Sequence, residues 1–175
     1  MSFATKLVQL DTWLQQQRPA IAAVLNPPAP ESEIASIEET MDHRLPQKLR
    51  QLYLWHNGES PEQKNHLFTS ASWPESQEYG PSEWAKNARW LPITEAWRER
   101  NSVMDAVNIG EDPMTSNWQP SCLPIARTNG AVVGVELRNG EVFLYEFQQF
   151  YTDPWGQHLA SGCEAWLAPL LSKLG

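Results

Sequence analysis

Three residues that could form an active site lie within the short run His56-Asn57-Gly58-Glu59. A histidine can act as a general base when neighbouring polar side chains orient it. The same residues also suit the end of a helix. A histidine is favourable at the negative end of the helix dipole, and Asn-Gly is typical of a left-handed C-cap. We favour this structural interpretation over a catalytic one.

Other catalytic and metal-binding patterns do not occur in the sequence. The histidines have no HExxH or comparable spacing, and there is no GxSxG elbow. Gly130, Gly134 and Gly140 lie in predicted turns and a strand rather than between a strand and a helix, as a phosphate-binding loop would. Cys122 and Cys163 match no metal or redox spacing, which predicts two free thiols in a reducing compartment. We therefore expect a protein that is not an enzyme and needs no cofactor or metal.

The composition is that of an acidic globular protein. Its 175 residues suffice for one domain with a sizeable core, and they carry a formal net charge of −8. Nucleic-acid binding needs a basic surface, so that class is excluded. An acidic surface favours a basic protein partner, although solubility alone would explain the same charge. The N-terminus does not resemble a signal peptide, and no stretch approaches the roughly 20 apolar residues that span a bilayer. We expect a cytoplasmic protein without nucleic-acid, membrane or small-molecule partners.

Apolar periodicity predicts helices through the N-terminal third of the chain. The predicted core stripes are Phe3, Leu7, Leu10 and Leu14; Ile34, Ile37 and Met41; and Leu45, Leu49, Leu52 and Tyr53. A short apolar segment begins at Pro19, and another helix is expected over roughly 94–104. In the second stripe, Glu38 and Asp42 are expected on the exposed side of the helix.

The clearest strand signals are CLPIAR, ending at Arg127, and AVVGVELR, ending at Asn139-Gly140. A two-residue turn at Asn139-Gly140 predicts that Gly134 faces Tyr145. One face of this hairpin is then aliphatic, and the other carries Phe143, Tyr145 and Phe147. That second face is expected to be covered by another element or presented to a partner. With a closing helix from about Ser161, the predicted fold is α+β: N-terminal helices, a central, largely antiparallel twisted sheet, and a C-terminal helix.

Residues 59–89 combine acidic and aromatic side chains without a sustained period. A solvated linker is one interpretation, but aromatic residues gain most when a partner desolvates them. Carboxylates around aromatic anchors suit a surface for a basic protein. The candidate partner-binding residues are Glu59, Glu62, Trp73, Glu75, Glu78, Tyr79, Glu83 and Trp84, together with Phe143 and Tyr145.

Residues 26–59 resemble the opening of the SUKH superfamily, which includes the yeast cell-wall assembly regulator and bacterial toxin-immunity proteins. The residues that carry the resemblance are Pro27, Pro28, Ala29, Ile34, Glu38, Leu45, Pro46, Leu49, Tyr53, His56, Asn57 and Gly58. Later landmarks are Leu67-Phe68, Trp118, Leu123-Pro124-Ile125-Ala126, Asn129-Gly130 and Trp166-Leu167. The chain departs from the family pattern at Pro30, where a Ser or Thr N-cap is common, and after Gly130, where Gly-Asp is usual.

The resemblance implies a single SUKH-like domain over 1–175, with a helical extension at 1–25 and a core at 26–175. It also implies an α+β fold and a non-enzymatic protein that acts by binding proteins. In bacteria this would be an immunity protein that binds and neutralises a cognate toxin domain, often a nuclease. A basic nuclease would fit an acidic partner. The alternatives are a regulatory scaffold for endogenous proteins, as in cell-wall synthesis, and a small enzyme or ligand binder.

Overall fold

The computed structural model describes residues 1–61, 66–67, 88–109, 118–127, 131–146 and 157–174. Helices dominate the N-terminal part, an antiparallel sheet follows, and short helices close the chain. The elements in order are α1 (Phe3–Gln17), α2 (Pro19–Ala22), α3 (Glu31–Met41), α4 (Gln47–Trp55), β1 (Arg89–Trp90), α5 (Ile93–Ile109), β2 (Cys122–Arg127), β3 (Ala131–Glu136), β4 (Val142–Glu146), β5 (Gln157–Ala160), α6 (Cys163–Trp166), α7 (Ala168–Leu171) and a 3-10 turn (Ser172–Leu174). The predicted α+β fold is confirmed.

The helices of the N-terminal third form where the apolar stripes predict them. All the predicted stripe residues of α1, α3 and α4 are buried in one common core. Ser2 is the N-cap of α1, and its hydroxyl accepts a hydrogen bond from the Thr5 amide at 3.2 Å. Burying one such leucine side chain is worth about 1.5–3 kcal/mol. The core therefore accounts for why these helices form and for which faces they bury.

Within the described residues, five strands form one sheet in the order β1-β2-β3-β4-β5, and every neighbouring pair is antiparallel. The predicted hairpin register is wrong by two residues, because Gly134 faces Phe143 instead of Tyr145. The connection contains four residues: Glu136 and Glu141 pair, and the Gly140 amide donates to the Glu136 carbonyl at 2.7 Å. A slip of two leaves every side chain on its predicted face, since the side-chain period of a strand is two.

The two faces of the sheet have separate apolar clusters. The aliphatic face of β3 and β4 packs on the main core, as predicted. On the other face a second buried cluster contains Trp118, Cys122, Val132 and Tyr145, with Phe143 packed at its edge. The rings of Trp118 and Tyr145 lie 4.7 Å apart. The second face was expected either to be covered by another element or to be presented to a partner. At Tyr145, other parts of the chain cover it.

The C-terminal part differs in detail from the prediction. The single helix expected from about Ser161 is divided into α6 and α7, with Leu167 between them and a proline in the first turn of α7. Trp166, Leu167 and Leu170 nevertheless dock on the core, as expected. The strands β1 and β5 have only 2 and 4 residues, too few for a periodic pattern.

Candidate protein-binding site

Helix α4 ends at Trp55, directly before the run that could have been catalytic. His56 is the C-cap and has an extended backbone, with φ −145° and ψ 142°. The left-handed backbone expected at Asn57-Gly58 occurs only at Gly58, with φ 70°. The predicted helix end is therefore close to the observed one, but Asn57 does not form a left-handed cap.

Residues His56–Glu59, which we call the junction, run between two other segments of the chain. On one side the Asn26 amide donates to the Gly58 carbonyl and the Ser60 amide to the Val24 carbonyl, both at 2.9 Å. On the other side the Glu59 amide donates to the Trp90 carbonyl at 3.0 Å. The junction thus joins the region after α2 to the region before α5.

The side chains of His56 and Asn57 contact separate parts of the chain. The His56 ring nitrogens lie 2.6 Å from the Asn26 carbonyl oxygen and 3.0 Å from Asp11 Oδ1. Asn57 Oδ1 accepts a hydrogen bond from the Ile93 amide, at the first residue of α5, at 2.8 Å. These groups do not converge on a shared reaction centre, so the structural interpretation of the His-Asn-Gly-Glu run is the one that the contacts favour.

Gly58 allows the junction to approach the chain before α5. A Cβ atom at this position would lie 2.3 Å from the Pro92 nitrogen and 2.6 Å from the Leu91 carbonyl carbon. Both atoms belong to the backbone, which cannot rotate aside as a side chain could. A positive φ also favours glycine here. Two independent constraints therefore require glycine at this position of the motif.

Glu59 lies in the interior, contrary to the prediction that it forms part of a binding surface. It is 0% exposed. One carboxylate oxygen accepts a hydrogen bond from the Leu67 amide. The other accepts from the Trp90 amide at 3.2 Å and lies 2.9 Å from His66 Nδ1. A direct contact between Glu59 and a partner is thus incompatible with this conformation, and the sequence pattern gave no sign of Trp90 as its bonding partner.

Phe143 and Tyr145 differ in exposure although they share one face of β4. Tyr145 is only 3% exposed, and burial raises the pKa of its hydroxyl. Its predicted place on a partner surface is therefore wrong in this conformation. Phe143 is half-buried and contacts the exposed His158 edge-to-face, with ring centroids 5.5 Å apart. Phe143 accordingly stays available as a surface anchor.

The remaining candidate residues fall outside the described residues, and their role stays a prediction. They are Glu62, Trp73, Glu75, Glu78, Tyr79, Glu83 and Trp84. Glu62 lies in the range 62–65 and the other six lie in the range 68–87.

Glu38 is a second buried glutamate that the sequence pattern placed on the surface. It is 4% exposed, and its carboxylate accepts a hydrogen bond from the Leu45 amide at 2.9 Å and from Arg44 at 3.1 Å. The prediction for Glu38 is therefore wrong, whereas Asp42 is exposed as expected. The carboxylate is buried because it satisfies a backbone donor in the chain between α3 and α4.

A shallow groove of about 590 Å³ lies between the ends of the chain. At its rim Glu164 pairs with both Lys6, at 2.8 Å, and Lys48. Hydrogen bonds from Lys48 and Lys6 lower the pKa of Glu164 to about 2. This three-residue bridge connects α1, the start of α4 and α6.

The described residues offer little catalytic chemistry. Both cysteines are buried, and burial raises the pKa of Cys122 and raises that of Cys163 to about 12, so the thiols stay protonated at neutral pH. Within the described ranges, no group of three or more His, Cys, Asp or Glu residues is placed to hold a metal ion. None of the helices in that same part of the chain has the length and apolar character needed to cross a bilayer.

Comparison with known proteins gives the class to which this fold belongs. The family model described as SMI1 / KNR4 family (SUKH-1) matches residues 28–168. The chain therefore belongs to the SMI1/KNR4 family, within the SUKH group that the N-terminal motif indicates. This membership supports a role in binding proteins, as an immunity protein or a regulator, and family members are generally not enzymes. No significant match was found among curated proteins.

Proposed function

We propose that this chain is a bacterial, cytoplasmic immunity protein that binds and neutralises a cognate toxin domain. The family match over residues 28–168 carries this proposal, because it supports protein binding rather than catalysis. The net charge of −8 indicates the charge of the expected partner, since an acidic protein attracts a basic one. A nuclease toxin must present basic surface to its substrate and would be such a partner.

In this proposal the partner binds the acidic and aromatic candidate residues between Glu62 and Trp84, together with Phe143 on the inner strand β4. Aromatic side chains would supply the desolvated anchors, and the carboxylates would supply attraction and specificity. The whole chain would act as one domain. Its support is that α1 side chains belong to the same core as those of α3, α4 and the sheet.

The same family match is compatible with a regulatory scaffold that binds endogenous proteins. The identity of the partner separates the two functions. An immunity protein restores the growth of cells that express the toxin domain encoded beside it, whereas a scaffold has no such effect.

The test is co-expression with the product of the adjacent gene, which under this proposal is a large secreted protein with a toxin-like C-terminal domain. We expect growth to be restored, and the purified toxin domain to be retained by the immobilised protein. The variant Glu75→Lys/Glu78→Lys should weaken retention at least tenfold. The control Glu39→Lys/Glu141→Lys makes the same change in charge on α3 and beside β4, and should keep wild-type retention. No rescue and no retention by the wild-type chain would refute the proposal.

A further inference from the structure

Arg100 on α5 is held in one orientation by two neighbouring groups. Its guanidinium lies over the indole ring of Trp97, with 5.2 Å from the guanidinium carbon to the ring centroid. Its Nε–H donates to the Pro120 carbonyl oxygen at 3.0 Å, and Nη2 donates to the same oxygen. Trp97 itself packs against the main core. The core and the chain before β2 therefore fix the direction of this guanidinium.

The outer end of the Arg100 guanidinium keeps its hydrogen-bond donors. An arginine carries its N–H groups in a rigid planar fork. The contact with Pro120 uses Nε–H and one N–H of Nη2, which together form one side of that fork. The end of the fork, formed by Nη1 and the second N–H of Nη2, has no acceptor among the described residues. Two parallel N–H groups of this kind match the two oxygens of a carboxylate.

Arg100 differs in its pairing from the other half-buried arginines in the described part of the chain. Arg50 pairs with Glu31, and Arg89 pairs with Glu95. Arg100 pairs with no carboxylate among the described residues, although burial lowers its pKa. Taking a cation out of water costs free energy unless an anion compensates for it. A carboxylate from a partner would give Arg100 the contact that Arg50 and Arg89 make within the chain.

The two glutamates on the same helix are engaged elsewhere. Glu95 pairs with Arg89, and Glu99 pairs with Arg127. These two arginines are direct cross-strand partners on β1 and β2. Because like charges placed directly opposite each other are destabilising, both glutamates are needed where they are. They therefore leave the charge of Arg100 uncompensated.

We propose that Trp97 and Arg100 form a docking point for an aspartate or glutamate side chain of the protein partner. The outer end of the Arg100 fork receives the carboxylate through two parallel hydrogen bonds. The Trp97 ring keeps water from one face of the guanidinium, which strengthens the contact. Arginine and tryptophan are also among the residue types most enriched at binding hot spots.

A cationic docking point adds specificity to an interaction that is otherwise driven by net charge. A chain with a charge of −8 attracts basic proteins in general. Arg100 repels a partner that places a lysine or arginine against it and favours one that places a carboxylate there. This selective role rests on the proposed function. The binding of a carboxylate by Arg100 stands on its contacts with Trp97 and Pro120 alone.

The first experiment tests the binding of a carboxylate by the free protein. Sodium acetate is the probe, sodium chloride at the same concentration is the control, and NMR follows the guanidinium N–H signals of the arginines. We expect the Arg100 signal to shift with acetate and to reach saturation. The signal of Arg98, the neighbouring exposed arginine, should move no more in acetate than in chloride. An Arg100 signal that responds equally to both salts, or that follows the Arg98 signal, would overturn the proposal.

The second experiment measures the affinity for the product of the adjacent gene, at a temperature where all variants are folded. Arg100→Lys keeps the charge and a donor for Pro120 but loses the planar fork, so we expect binding about tenfold weaker than that of the wild type. The matched control Arg98→Lys makes the same change at the exposed neighbour and should bind within about twofold of the wild type. Equal affinity of the two variants would refute the docking role.

A double-mutant cycle separates a direct contact from a structural effect of Arg100. Each aspartate and glutamate of the partner is replaced in turn by the corresponding amide. One replacement should abolish the difference in affinity between the wild type and Arg100→Lys, because it removes the carboxylate that Arg100 binds. A difference that persists with every replacement would show that Arg100 does not bind a partner carboxylate. If the wild-type chain itself does not bind the partner, the proposed function fails, and the acetate titration then decides the carboxylate site separately.

Discussion

Glu38 and Glu59 are two buried glutamates with similar local hydrogen bonds. They differ in how far along the sequence their other hydrogen-bond partners lie. Each accepts the amide of a residue seven or eight positions later in the chain. Among the described residues, Glu38 contacts only the connection between α3 and α4 and the start of α4: it pairs with the largely exposed Arg44 and lies 3.8 Å from Arg50. Glu59 additionally holds Trp90, 31 residues away, and lies beside the mostly buried His66.

The comparison separates a local hydrogen bond from a long-range one. Closing a longer loop costs more conformational entropy, although the cost grows only slowly with length. The Glu59 link is therefore helped by the main-chain bond to Trp90 and by the packing of that side chain on α4. The hydrogen bond from Leu45 to Glu38 does not require such additional contacts, because α3 and α4 are consecutive helices.

The largest expected loss of stability is that of Gly58→Ala. This substitution disturbs the backbone next to Glu59, and the hydrogen bonds of Glu59 depend on that backbone. The new Cβ would meet the Pro92 nitrogen at 2.3 Å, and φ is positive. We expect a loss of about 3 kcal/mol or more in the free energy of unfolding. Urea unfolding measures it. The control Gly140→Ala also has a positive φ, but its Cβ would meet only a proline side chain at 3.3 Å, so about 1 kcal/mol is expected. Equal losses would contradict the close approach at Gly58.

The next effect compares the two glutamates directly. Glu59→Ala leaves the Leu67 and Trp90 amides without their acceptor in the interior, and we expect a loss of about 3 kcal/mol. Glu38→Ala removes the acceptor of one amide, that of Leu45, while Arg44 can turn to water, so about 2 kcal/mol is expected. The free energies from urea unfolding should keep this order. A larger loss for Glu38→Ala would reverse the contrast.

A smaller effect is expected for Asn57→Ala, which breaks the contact between the junction and α5. The Asn57 side chain accepts the amide of the first residue of α5, as an N-cap does, so we expect a loss of about 1 kcal/mol. Asn139→Ala removes a hydrogen bond of similar length, 2.9 Å, at an exposed turn and should cost under about 0.5 kcal/mol. Thermal unfolding of the two variants compares them, and indistinguishable midpoints would show that Asn57 does not cap α5.

The smallest effect concerns Glu164, an accessible carboxylate that contrasts with both buried ones. Its pKa is lowered from 4.5 to about 2 by Lys48 and Lys6. Because the pKa is lowered in the folded state, the ionised Glu164 carboxylate stabilises the fold above pH 4.5. This stabilisation is lost as the pH falls toward 2. Glu164→Gln should therefore lose a small amount of stability at pH 7 and show a flatter decline between pH 4.5 and 2. Parallel pH profiles for the variant and the wild type would contradict this prediction.

Local patterns along the chain were enough to predict the helical stripes, the faces of β3 and β4, and the family. These features depend on local periodicity or on a short motif, and a residue two to four positions away decides them. The two-residue error in the hairpin illustrates the limit. The side-chain period keeps the faces correct, while the length of the connection, which no period reveals, sets the register.

Long-range packing sets the burial of Glu38, Glu59 and Tyr145 and the contacts of the His-Asn-Gly-Glu run, and none of these could be predicted from local patterns. A charged residue is expected at the surface unless a specific donor awaits it inside. For Glu59 that donor is the amide of Trp90, which lies far along the chain and comes near only when the sheet and α4 have packed together. The residue types of the junction are visible in the sequence, but their partners are set by long-range contacts, and for that reason a run that resembles a catalytic cluster is a structural junction.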